Sequence, residues 1–231
     1  MKTVGIIGGI GPESTVDYYR LLIAAYREQK QDGSYPSILL NSVDLQKLVD
    51  WFGANELAAA TEYLVNEIQK LARAGADFGL LAANTPHIVF EEIARRSPLP
   101  LLSIVEATCA EAKALGLRRV GLFGTRFTMQ GHFYQDVFAK AGMTLVVPAA
   151  DEQAYIHDKY MNELVHGIIR PETRAGLLTI VERLRERADI QALILGGTEL
   201  PLILRADADA GIPLLDTTQI HVKAVVAELL S

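Results

Sequence analysis

Short runs of apolar residues recur along the chain. Between them lie longer stretches whose apolar positions fall every third or fourth residue. The short runs, bounded by glycine, proline or polar clusters, have the form of strands buried on both faces. Eight segments show it: 3–8 (TVGIIG), 37–41, 77–82, 100–104, 119–124, 144–148, 191–196 and 212–216. The longer stretches predict helices. Leu57, Tyr63, Leu64, Ile68 and Leu71 keep near-helical spacing over 55–74, as do Leu177, Leu178, Ile180, Val181 and Leu184 over 172–188. Strands alternating with helices predict an α/β protein built on parallel sheets.

The strand runs also repeat. Val4-Gly5-Ile6-Ile7-Gly8 matches Val120-Gly121-Leu122-Phe123-Gly124, and Ile38 to Asn41 matches Leu145 to Pro148. Residues 77–87 match 191–201, and Pro100 to Ser103 matches Pro213 to Asp216, all at offsets of 107 to 116 residues. Four matches in the same order predict two pseudo-symmetric lobes, each a parallel sheet flanked by helices. Lobe one is expected at 1–96 plus 209–231, its C-terminal helix packing back on it, and lobe two at 97–208. Ligands of open α/β sheets bind beyond the carboxyl ends of the strands, so the site is expected in the inter-lobe cleft.

Composition narrows the class. Half of the 231 residues are hydrophobic and 22% are charged, as in a folded globular protein. A net charge of −6, with no basic cluster, argues against a nucleic-acid partner. The N-terminal apolar run is too short for a signal peptide and no run spans a bilayer, so no membrane partner and a cytoplasmic location are expected. Cys109 is the only cysteine, on an alanine-rich helical run that makes it a small core residue. His132, His157, His166 and His221 show no metal-ligand spacing, and no metal is expected.

Three places carry candidate chemistry. Gly8-Gly9-Ile10-Gly11 follows a strand and opens a helix at Pro12; its backbone N–H groups suit an anion, although the same glycines would serve a tight turn. Asp44, after the second strand, keeps a nucleotide reading open, but the dinucleotide spacing G-x-G-x-x-G is absent. In the second repeat, Thr125 and Thr128 offer hydroxyls at a helix start, either to a carboxylate or as caps, and Arg126 is either a ligand clamp or a surface charge. The third place is the pair of strand ends Ala83-Asn84-Thr85 and Gly197-Thr198-Glu199, where buried polar groups need a reason, in ligand contact or in capping. His87 lies beside the first. Asp151, Glu152, His157 and Lys159 read as a charged loop after a strand, either overhanging the site or simply solvated.

Gly8-Gly9-Ile10-Gly11-Pro12-Glu13-Ser14-Thr15, Asn84-Thr85-Pro86-His87, Gly124-Thr125-Arg126-Phe127-Thr128 and Gly197-Thr198-Glu199-Leu200 together resemble the aspartate/glutamate racemase family. The resemblance covers essentially the whole chain. It implies two α/β lobes, a homodimer, and cofactor-independent inversion of an amino acid such as aspartate or glutamate. In that chemistry one thiol removes the α-proton and a second returns a proton to the other face. The two thiols map to Ala83 and Gly197, which carry no acid–base group. The binding residues carry over better: Gly8, Gly9, Ile10, Gly11, Asn84, Thr85, Thr125, Arg126, Thr128 and Thr198. A racemase-type enzyme without its thiols would need substitutes, for which Glu199, His87, Thr85 and Asp44 are the candidates. The alternative is a protein that binds a small carboxylate or amino acid without turning it over, or that reacts differently with it.

Overall fold

A computed structural model describes residues 2–204 and 210–231. Among the described residues there are eight strands: β1 (Thr3–Gly8), β2 (Ser37–Ser42), β3 (Phe78–Leu81), β4 (Leu101–Leu102), β5 (Arg119–Gly124), β6 (Thr144–Val146), β7 (Ala192–Gly196) and β8 (Leu214–Asp216). They form two four-stranded sheets, ordered β2-β1-β3-β4 and β6-β5-β7-β8, and every pairing is parallel. β3 and β7 are buried along their whole length, as the uninterrupted apolar runs require. The segments expected at 100–104, 144–148 and 212–216 shorten to two or three residues. All three are edge strands, with a ladder on one side only.

The helices are α1 (Pro12–Lys30), α2 (Leu45–Gly53), α3 (Leu57–Arg73), α4 (Phe90–Arg96), α5 (Ile104–Ala114), α6 (Arg126–Gln130), α7 (His132–Lys140), α8 (Ala150–Asn162), α9 (Pro171–Ala188), α10 (Leu200–Ile203) and α11 (Thr217–Leu230). The periodicities at 55–74 and 172–188 appear as α3 and α9. The stretch read as a charged loop after β6 is instead helix α8. Its charges did not break the helix because one of them starts it: the Glu152 carboxylate accepts the Ala149 N–H at 2.9 Å.

The chain divides into two compact units, Met1–Ile104 with His221–Ser231, and Val105–Ile220. The expected boundary at 96/97 therefore shifts to 104/105, because β4 pairs with β3 and draws residues 97–104 into the first unit. Residues 214–216, expected in lobe one, fall in the second unit because β8 pairs with β7. The expected boundary position 208/209 itself lies outside the described residues. In the first unit Tyr18, Leu22 and Tyr26 of α1 pack with Val4 and Ile6 of β1 and with Val222, Val225, Val226 and Leu229 of α11. In the second, Leu177, Ile180, Val181 and Leu184 of α9 cover Phe123 of β5 and Leu193 and Leu195 of β7. Among the described residues no helix is long and apolar enough to cross a membrane.

Candidate functional site

In the first unit the β1–α1 turn is shaped by glycine. Gly9 has a φ of 80°, and a Cβ on it would lie 2.6 Å from Ser42 Oγ and from the Val43 carbonyl. Only glycine lets this turn press against the end of β2. The Gly9 N–H donates to Thr15 Oγ1 at 2.9 Å, and the Ser14 hydroxyl donates to the Gly11 carbonyl at 2.7 Å. The turn is thus bolted to the first turn of α1. The N–H groups of Ile10 and Gly11 have no acceptor among the described residues, and they stand at the positive end of a 19-residue helix. They are the two groups of this loop able to meet an anion.

At the end of β3, Ala83 is 5% and Asn84 3% exposed, and Thr85 opens a short 3-10 turn, Thr85–Val89. The Asn84 carbonyl accepts the His87 N–H at 3.0 Å. His87 is enclosed. Its Nε2 accepts the Ile104 N–H at 3.3 Å, which places the ring proton on Nδ1, and Nδ1 donates to the Ala83 carbonyl at 3.1 Å. Its ring stacks on Phe90 with centroids 4.6 Å apart. Burial, reinforced by nearby His221, lowers its pKa to about 3. With both nitrogens engaged and the ring neutral, His87 ties the strand end to the start of α5. Asp44 is exposed, and its Oδ1 accepts the Gln46 N–H at 3.0 Å, which makes it the N-cap of α2.

In the second unit, Thr125 is the N-cap of α6: its Oγ1 accepts the Thr128 N–H at 3.2 Å and lies 3.2 Å from Thr128 Oγ1. Both threonines are buried, whereas Arg126 is exposed with its guanidinium 5.6 Å from the Phe127 ring centroid. The Arg126 N–H donates to His157 Nδ1 at 3.2 Å.

The end of β7 holds the group that sequence reasoning missed. Gly197 has no positive φ, so its backbone does not demand glycine. Space does. A Cβ there would lie 2.4 Å from Cε2 and 2.8 Å from Oη of Tyr160. The ring is buried at 6% exposure, and its hydroxyl donates a hydrogen bond to the Glu199 carboxylate. The Thr198 hydroxyl donates to the same carboxylate oxygen at 3.0 Å. Burial, and then the Glu199 charge, push the Tyr160 phenol well above its usual range. The signal for Tyr160 was present as Gln153, Ile156 and Tyr160 at helical spacing, once 150–162 is read as a helix.

A cavity of about 460 Å³ lies elsewhere in this unit, lined by Glu111, Leu195, Pro201, Leu214, Asp216 and Gln219 among others. None of these is a candidate from the sequence, and Asp216 is occupied in accepting the Thr218 and Gln219 N–H groups.

With this geometry established, the chain can be set beside known proteins. The family model described as Asp/Glu/Hydantoin racemase matches residues 7–225. The broad specificity amino-acid racemase RacX of Bacillus subtilis is 29% identical over 99% of this chain and 98% of its own length. A Yersinia pestis protein provisionally assigned as an Asp/Glu racemase is 32% identical, with a TM-score of 0.92 and full coverage of both chains. An aspartate racemase homologue from Pyrococcus horikoshii is 33% identical, with a TM-score of 0.86, again over the whole of both chains.

Proposed function

Since this chain belongs to the Asp/Glu/hydantoin racemase family, a family of isomerases, we propose that it binds a small amino acid of the aspartate or glutamate type and does not invert it by the two-thiol route. The observation that carries this reading is at Gly197. The position is not an empty seat waiting for a thiol, because the Tyr160 ring stands where any side chain would begin. At the other strand end Ala83 supplies no proton carrier either. An amino-acid ligand is supported by the names of the relatives, one an aspartate racemase homologue and one a broad-specificity amino-acid racemase.

In this reading the first unit offers a carboxylate the Ile10 and Gly11 N–H groups, with the polar side chains of Asn84 and Thr85. The second unit, taken by itself, offers the Thr125, Thr128 and Thr198 hydroxyls. Gly8 and Gly9 act by shaping the turn, and Arg126 acts at the rim. A cytoplasmic homodimer is part of the same proposal, and light scattering on the purified protein checks the dimer.

The test is a thermal-shift panel of L- and D-amino acids and dicarboxylates, with chiral chromatography on the same mixtures. A rise in melting temperature with acidic ligands, without two-way racemisation at a thiol-dependent rate, is the expected result. No shift with any of them refutes binding. Two-way racemisation abolished by a thiol reagent refutes the exclusion of thiols. A binder without turnover is the second reading, favoured by the lack of any proton carrier at Ala83.

A further inference from the structure

At the end of β7 two proton-carrying side chains are buried together. Glu199 is 3% exposed and Tyr160 6%, and the phenol donates to the carboxylate. Burying a carboxylate at a strand end is costly, and such groups cluster where they have work to do. The arrangement is also built with care. The Tyr160 ring fills the space beside Gly197, and Thr198 supplies a second donor to the same oxygen. The phenol oxygen lies 2.8 Å from where a Cβ of residue 197 would stand, so it occupies the space a short side chain there would use.

We propose that the Tyr160 hydroxyl, held by Glu199, is the proton carrier of this strand end. It would exchange the α-proton of a bound amino acid on one face only. The proposal rests on the amino-acid-binding reading above.

The step balances without a co-reactant. The Cα–H bond breaks, and its electron pair stays on the carbon, delocalised into the ligand's own carboxylate. A new O–H bond forms at Tyr160 as the original phenolic proton passes to the Glu199 carboxylate. Return runs the same path backwards, after exchange with solvent. Glu199 is the positioning residue: it fixes the phenol and accepts its proton. Tyr160 is a single carrier, so the proton leaves and returns on the same side and configuration is kept.

The experiment follows hydrogen–deuterium exchange at Cα by NMR in D₂O, for the L and D forms of each stabilising amino acid. Wild type, Y160F and E199Q are compared, and ligand-induced melting shifts are recorded on all three. Wild type should exchange one enantiomer with retention. Y160F should slow exchange by about 100-fold or more, the usual worth of a positioned acid or base, while its ligand-induced shift persists. E199Q should lower kcat for exchange with KM unchanged, a split that a merely structural role would not produce. If Y160F shows no cooperative melt, E199Q carries the test.

Exchange at the wild-type rate in Y160F, or in E199Q where that variant stands alone, overturns the proposal. Exchange of both enantiomers, or ligand stabilisation with no exchange at all, also overturns it but leaves the binding reading intact. Neither stabilisation nor exchange with any ligand overturns both.

Discussion

At the scale of single residues, two positions that look alike in the sequence differ in space. Ala83 and Gly197 both lack a proton carrier, and reading the chain makes them equivalent gaps. Ala83 already carries a Cβ. Gly197 has no room for one, because the Tyr160 ring fills the place. Gly197→Ala should therefore cost about 1–3 kcal/mol by overpacking, measured by urea unfolding. Truncating the ring as well should remove that cost. The double variant G197A/Y160A is expected to couple by about 0.5–3 kcal/mol relative to the sum of the single changes. Strict additivity would mean that the ring is not what a side chain at 197 meets. Sequence alone cannot see this pair. The two residues are 37 positions apart, and only the fold, which sets Tyr160 of α8 beside the residue that follows β7, brings them together.

At the scale of elements, the helices and strands were mostly legible, and the misses have physical reasons. The strand runs at 3–8 and 119–124 appear with the same bounds as β1 and β5, because a strand buried on both faces leaves an uninterrupted apolar run. Helix α8 was hidden because Asp151, Glu152, His157 and Lys159 suggest a charged loop. Those charges lie on a helix that buries Glu152, Gln153, Ile156 and Tyr160, and Glu152 caps its start. Asp44 is the reverse case. It reads as a nucleotide-ribose or acid–base candidate, and in the fold its carboxylate caps α2. Asp44→Ala should cost about 1 kcal/mol in chemical denaturation, whereas Asp44→Asn, which caps as well, should cost almost nothing. Equal losses in the two variants would show that the charge matters beyond the cap.

At the scale of the molecule, the first unit carries two buried neutral histidines. His221 donates from Nε2 to the Leu102 carbonyl at 3.2 Å and accepts the Tyr18 hydroxyl at Nδ1 at 3.0 Å. Burial lowers its pKa to about 4, and that of His87 to about 3. Unfolded histidine titrates near 6.5. Between those values the unfolded chain binds more protons than the folded one, so stability rises with pH there. The contribution is complete above about pH 6.5, declines as pH falls below it, and is exhausted below the folded values near 3 to 4. The melting temperature should therefore decline steadily from pH 7 to pH 4.5 in calorimetry; a flat profile would contradict two buried neutral rings.

What the sequence determined by itself is a repeated series of apolar runs that form parallel sheets, whose spatial orders β2-β1-β3-β4 and β6-β5-β7-β8 came only with the fold. The sequence also determined which strand ends carry polar residues, because hydrophobic period and turn chemistry are local properties of the chain. Only the tertiary structure decided what those polar residues do. It made His87 and Asp44 ties and caps, left the Ile10 and Gly11 N–H groups without acceptors, and set Tyr160 against Gly197 and Glu199. Such roles depend on distances between residues far apart in the chain, and those distances are set by packing.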